Sequence, residues 1–414
     1  MTRVRSERRR VVVTGMGALS ALGTSAEATW DAMVAGRSGV APIAGFDASG
    51  LAVRIAAEVR GFDPVAHFGK RRARHLDRNV QLALAATAEA VDASKLDIAA
   101  APERVGVIYG TGIGGLGSLT DGVGVLRDRG PEWVSPYTLP MTLANMAAGL
   151  IAMQHGATGY NSCTVTACAA SAQAIGEGAD QIRLGRADAM ICGGCEAAVG
   201  EVGIAAFAAM KALSTRNDEP GRASRPFDSG RDGFVMGEAA ATLVLEEREA
   251  ALARGATILA EVAGYGSTAD AHHITAPHPD GDGAVRAMEA ALADAGLGPG
   301  DVGYVNAHGT STPPNDRVEA LALRRVFGPS GPPVSSTKSM TGHTLGAAGA
   351  LEAIACIQAI RTGLLPPTIN LDDVDAGCEL DHVAHVARRA SVAAALTNSF
   401  GFGGHNATLI FTQA

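Results

Sequence analysis

No apolar run in this chain approaches the ~18 residues that a membrane-crossing helix needs, so a spanning segment is not expected. The chain also lacks any basic tract interleaved with aromatic residues. Its net charge of -8 argues against generic nucleic-acid binding, although local basic patches remain available for an acidic protein partner. The 6 cysteines among 414 residues form no dense spacing framework, which points to free thiols in a reducing compartment. Cys192 and Cys195 make one C-x-x-C, but no second pair and no paired histidines stand at ligand spacing, so a buried structural pair is expected rather than a metal site. His272 and His273 likewise read as loop residues. The N-terminus imitates a secretory signal, with Arg3, Arg5, Arg8, Arg9 and Arg10 ahead of an apolar stretch from Val11 to Leu19. Thr14, Gly15 and Gly17 break that stretch, so it reads as a strand entering a glycine turn. A compact cytoplasmic protein is expected.

What is present is an alternation of short apolar runs, each ending in glycine, with alanine-rich helical stretches, an α/β pattern. The order of events occurs twice. In the first half, Arg10 to Gly15, Arg104 to Gly110 and Ala187 to Gly194 read as strands, with a cysteine and a small-residue helix between Asn161 and Gly185. In the second half, Thr257 to Gly264, Val302 to Ala307 and Ala393 to Ser399 repeat the pattern, with a lysine, a histidine and a small-residue helix between Val334 and Gly363. Two duplicated, pseudo-symmetric halves are expected, residues 1–255 and 256–414, with the nucleophile in the first and both histidines in the second. In such a packing the helices beginning near Cys168 and near His343 occupy equivalent places and present their N-termini to one cleft. A helix N-terminus favours a thiolate and biases a histidine toward its neutral form.

Three distant islands then read as one site: Thr166 to Ser171 around Cys168, Asn306 to Thr312 around His308, and Lys338 to His343. One thiol and two imidazoles suit the holding of an acyl group and the activation of a second substrate. Cys168 precedes four small residues, a helix start expected to leave its sulfur exposed on a turn. Cys356 sits in an apolar helix and Cys378 in an acidic loop. Glu352 falls in the otherwise apolar helix Leu345 to Ile360, where an unpaired carboxylate is costly, and Lys338 is its expected partner. Gly110-Thr111-Gly112-Ile113-Gly114-Gly115 matches G-x-G-x-x-G, but no second strand ending in an acid follows at the spacing a dinucleotide site needs; the loop is expected to line a pocket instead. Phe402, set among Gly401, Gly403 and Gly404, reads as a gate on a mobile backbone.

Val165-Thr166-Ala167-Cys168, Asn306 to Thr312, Ser335 to His343 and Asn398 to Gly404, in that order, resemble the elongating beta-ketoacyl-acyl carrier protein synthases of type II systems, members of the thiolase superfamily; the Leu213 to Asp218 and Ser224 to Asp228 segments are also typical. The resemblance implies a five-layered α-β-α-β-α fold and a decarboxylative condensation. Cys168 takes the acyl group, and His308 and His343 stabilise the enolate of malonyl-acyl carrier protein, supported by Lys338 and Glu352. The N–H groups of Cys168 and Phe402 form the oxyanion hole. By the same resemblance, Thr310 and Thr312 hold the phosphopantetheine arm, Ile113 lines the acyl tunnel, and Phe400, Gly401 and Gly403 contact substrate. Arg71, Arg74 and Lys211 align with carrier-docking positions. No metal and no resident cofactor are implied, since substrates arrive on acyl carrier protein, and neither nucleic acid nor membrane is a partner.

A degradative thiolase carries a second catalytic cysteine near its C-terminus, which the Phe402 loop lacks. An initiating synthase has an asparagine where His343 stands, and a chain-length-factor subunit has no nucleophile. Ala169, the Pro314-Asn315-Asp316 run and the Glu132-Trp133 pair depart from the common fatty-acid pattern. They leave two pathways open. One is fatty acid elongation by a homodimer. The other is polyketide synthesis by a heterodimer with a chain-length-factor-like subunit.

Overall fold

The computed structural model describes residues 8–414. Ten strands form its main sheet. Five come from the first half: β1 (Val11–Ser20), β2 (Val105–Gly110), β3 (Asn161–Ser162), β4 (Ala189–Glu196) and β5 (Ala239–Glu247). Five come from the second: β6 (Ala260–Ala269), β7 (Tyr304–Asn306), β8 (Val334–Ser335), β9 (Ala394–Gly401) and β10 (His405–Thr412). Outward from the centre the order is β1-β5-β4-β2-β3 on one side and β6-β10-β9-β7-β8 on the other, so each strand has its counterpart five places later. Directions repeat as well. β2 pairs parallel with β3 and β4 as β7 does with β8 and β9, whereas β5 and β10 are antiparallel to both of their neighbours. The halves meet at a short antiparallel junction, Val12 opposite Glu261 and Val13 opposite Ala260.

Five principal helices complete the layers: α1 (Arg78–Ser94), α2 (Ala170–Arg183), α3 (Asp282–Ala295), α4 (Pro313–Phe327) and α5 (Ala348–Thr362). α2 and α5 pack on each other and on strands of both halves, while α1 covers the outer face of β1, β4 and β5, and α3 that of β6 and β10. The result is α-β-α-β-α. Every residue of α5 from Ala348 to Ile360 is buried, which is why it reads as apolar on all sides.

β1 does not end at Gly15 but runs on to Ser20. The reason is tertiary. A Cβ on Gly15 or Gly17 would lie 2.1 Å from the carbonyl oxygen of Ala90 or Ala86, so these glycines admit α1 rather than form a turn. Gly264 and Gly266 of β6 do the same for α3, with Ala291 and Ala287 at 2.2 and 2.0 Å.

Each central helix begins with a single 3₁₀ turn, Ala167–Ala169 before α2 and Leu345–Ala347 before α5. Ala167 and Leu345 both adopt left-handed backbone, φ 49° and 47°. Such residues cost about 1 kcal/mol or more and persist where the surroundings over-determine them. The helices are therefore equivalent as expected, but the counterpart of Cys168 is Gly346. His343 lies just ahead of that turn.

Candidate active site

Cys168 occupies the middle of its 3₁₀ turn and is buried, 6% exposed, instead of standing open to solvent. The turn aims the sulfur into the cleft between the halves. Burial pushes the thiol up to about 12, against the pull of Lys338 and of the N–H groups of Phe402 and Cys168 itself. The resting sulfur is thus a protonated thiol rather than the thiolate that the helix N-terminus led one to expect.

Nε2 of His343 lies 3.0 Å from Sγ of Cys168, and the His308 ring meets the His343 ring edge-on with centroids 5.3 Å apart. Burial, and then the positive charge of Lys338, hold both imidazoles well below their usual range, which favours the neutral form of each. The Leu345 N–H donates to Nδ1 of His343 at 3.3 Å, which places the ring proton on Nε2. Lys338, in a short helical turn (Lys338–Thr341), is ion-paired with Glu352 of α5, both fully enclosed. Sγ of Cys168 and one nitrogen of each histidine lie within 4.8 Å of one another. A buried lysine beside them opposes a cation there. N–H donors and a positive charge suit a developing oxyanion.

Two carboxylates that the sequence reading overlooked organise the backbone of the site. Glu319 of α4 accepts the N–H groups of His308 at 2.8 Å and Gly309 at 2.7 Å. Glu196, the last residue of β4, accepts those of Gly112 at 2.6 Å and Gly346 at 3.0 Å and the hydroxyl of Thr111 at 3.1 Å. In both, burial outweighs these bonds and pushes the carboxyl up to about 7. The available signal was an acid closing an all-apolar strand. Glu196 also takes a loop N–H of the G-x-G-x-x-G run that a phosphate would need.

The thiol opens into a cavity of about 420 Å³. Gly112, Ile113, Phe207, Leu345, Phe400, Gly401 and Phe402 line it, and Thr310, Thr312 and Asn315 form its polar flank beside Pro313 and Pro314. The hydroxyls of Thr310 and Thr312 are 2.8 Å apart. Phe400 packs against His308, with centroids at 5.6 Å, and Phe402 against Phe207 at 6.3 Å. Gly403, expected to contact substrate, is not part of the lining: its N–H donates to the carbonyl of Ile274, and Gly404 takes its place. Lys211 is exposed at the cavity, whereas Arg71 and Arg74 are exposed at the end of the helix Pro64–Ala73 and do not line it.

Cys192, Cys195 and Cys356 are buried free thiols; Cys378 is also buried, despite its acidic loop. His272 and His273 are exposed, and no metal-sized cluster includes them among the described residues. No helix among the described residues is long and apolar enough to cross a membrane.

Curated relatives cover almost the whole chain. The 3-oxoacyl-acyl-carrier-protein synthase 2 of Synechocystis is 51% identical over 410 residues, 98% of this chain and 99% of the relative. That of Vibrio harveyi is 48% identical over the same shares. Among solved structures, the ishigamide ketosynthase/chain length factor superposes with a TM-score of 0.92 at 40% identity, covering 98% of this chain and 100% of the other. A beta-ketoacyl synthase from Burkholderia phymatum gives 0.91 at 38% identity with the same coverage. Residues 8–251 match the family described as Beta-ketoacyl synthase, N-terminal domain, and residues 259–372 match Beta-ketoacyl synthase, C-terminal domain. With its cysteine and two histidines converging on one apolar cavity, this chain belongs to the beta-ketoacyl synthase family.

Proposed function

We propose that this synthase condenses an acyl group held on Cys168 with malonyl-acyl carrier protein, giving beta-ketoacyl-acyl carrier protein in fatty acid elongation. The observation that carries the reading is the convergence of two neutral imidazoles on one buried thiol, with Nε2 of His343 at 3.0 Å from Sγ. In the first step the sulfur attacks the incoming thioester, the carrier thiol leaves, and the thiol proton goes with it. In the second, malonyl loses carbon dioxide and its thioester oxygen becomes an enolate that His308 and His343 stabilise by hydrogen bonds. The enolate carbon then attacks the acyl thioester, a C–C bond forms, and the C–S bond to Cys168 breaks. The N–H groups of Phe402 and Cys168 stabilise the tetrahedral oxyanion.

Thr310 and Thr312 hold the phosphopantetheine arm along the polar flank, Ile113 meets the acyl chain, and Phe402 gates the cavity. No resident cofactor enters these steps. Arg71, Arg74 and Lys211 dock the acidic carrier. The segment 116–143 exposes Leu119, Leu126, Trp133, Leu139 and Leu143, an apolar surface that a second subunit would cover, in keeping with a homodimer. Relatives named 3-oxoacyl-acyl-carrier-protein synthase 2 at about half identity support the fatty-acid assignment.

A second reading, the ketosynthase subunit of a type II polyketide synthase, is favoured by the likeness to the ishigamide ketosynthase/chain length factor and by the Pro314-Asn315-Asp316 run, whose first two residues line the cavity. Intact-mass analysis of the purified chain with a panel of acyl-carrier proteins separates the two. We expect acylation and elongation of saturated acyl-carrier proteins by the chain alone, as a homodimer. Elongation only after co-expression with a sister subunit would replace the fatty-acid reading with the polyketide one.

A further inference from the structure

Glu196 has no part in the chemistry above, yet its carboxylate is 0% exposed and joins both walls of the site. One partner, Gly112, belongs to the wall that carries Ile113. The other, Gly346, is the middle residue of the 3₁₀ turn whose first residue, Leu345, donates to Nδ1 of His343. That turn is strained at Leu345, φ 47°, and a strained turn holds its shape only where it is anchored.

We propose that Glu196 is a positioning residue: by holding the Gly346 N–H it fixes the Leu345–Ala347 turn, and through Leu345 it keeps His343 in the Nε2–H tautomer that donates to the sulfur of Cys168. The inference rests on Cys168 being the nucleophile. The duplicated architecture supports it. β4 packs on the turn before α5 as β9 packs on the turn before α2. In the first half the N–H of Cys168 is left for the substrate's oxygen; at the equivalent place the N–H of Gly346 is filled by the chain's own carboxylate. The second oxyanion hole of the fold has become an anchor.

The test is the pH dependence of Cys168 alkylation by iodoacetamide in the full-length protein, with the labelled site read by peptide mapping and thermal stability measured alongside. The charged and titratable groups facing the sulfur are His343, His308, Lys338 and Glu196. In Glu196→Gln the side chain offers one acceptor and one NH₂ to two N–H donors, so the turn loosens and the hydrogen bond to sulfur weakens. The alkylation rate at a given mildly alkaline pH, where only a small fraction is thiolate, is expected to fall roughly tenfold. Removing the carboxylate charge acts alone in the opposite direction, since Glu196 disfavours a nearby thiolate. A rate that rises or is unchanged in folded Glu196→Gln therefore overturns the proposal. Glu196→Asp keeps the charge but is one methylene shorter and reaches a single N–H; it is expected to give an intermediate slowing. It decides the question if the Gln variant does not fold, an unchanged rate again overturning the proposal. Iodoacetamide needs no carrier or acyl chain, so the outcome is independent of whether the condensation reading survives.

Discussion

Lys338 and Glu352 face each other as an enclosed ion pair, and the second carboxylate oxygen of Glu352 is buried with no hydrogen-bond partner. Removing either member strands the other. Lys338→Ala is expected to cost about 3–5 kcal/mol in urea unfolding, the usual penalty for an uncompensated buried charge. The double variant Lys338→Met with Glu352→Met should recover most of that stability. It should not recover condensation, because the positive charge beside the histidines is gone. A double variant with wild-type turnover would reduce the pair to a packing element.

Cys168→Ala is expected to abolish both self-acylation and condensation while leaving the fold intact, since Ala fits the small-residue turn. Peptide mapping of the wild type after incubation with acyl carrier protein should place the acyl group on Cys168. Label on the half-buried Cys163 would reassign the nucleophile.

His308→Ala and His343→Ala should separate the half-reactions. Each removes one donor to the enolate, worth about 3 kcal/mol, so malonyl decarboxylation should fall roughly a hundredfold or more while self-acylation falls less. Release of carbon dioxide at wild-type rates in both variants would contradict the roles assigned.

Charge reversal of Arg71 and Arg74 should raise KM for the carrier protein without changing turnover on a small soluble thioester, and the effect should fade with added salt. Lys211→Glu sits at the cavity mouth and should affect both substrates. Salt-independent KM values would remove the electrostatic account of docking.

Glu319 supplies a pH signature. Its carboxyl is raised from 4.5 to about 7 in the folded protein, so the native state binds the proton more tightly than the unfolded chain does. Its contribution to stability is full below the unfolded pKa and is lost as pH climbs from about 4.5 toward about 7. Glu319→Gln cannot titrate. The melting-temperature deficit of this variant relative to wild type should therefore shrink as pH rises across that window, and a deficit that grows would refute the shift.

The layered fold and the convergence of Cys168, His308 and His343 were legible because they are written in side chains: apolar runs, small-residue helices, and a thiol and two imidazoles at the ends of predicted elements. What escaped is written in backbone. Glu196 and Glu319 act on N–H groups of distant segments, which no residue pattern announces. Gly15 and Gly17 were read as a turn because glycine's local meaning is a turn, while their tertiary meaning is the close approach of α1. The matching left-handed residues Ala167 and Leu345 have ordinary identities, so the correspondence of Cys168 with Gly346 exists only in dihedral angles. The buried, protonated state of Cys168 depends on the second half closing over the first.

The mirrored strand order divides labour across the chain. We place the boundary near residue 255: Cys168 and Ile113 lie before it, and His308, His343, Lys338 and Phe402 after it, so neither half owns a working site. A protease cut in the short connection between β5 and β6 would leave each of these side chains chemically intact. Activity would then depend on how tightly two fragments reassociate, at a local concentration that the peptide bond had until then fixed.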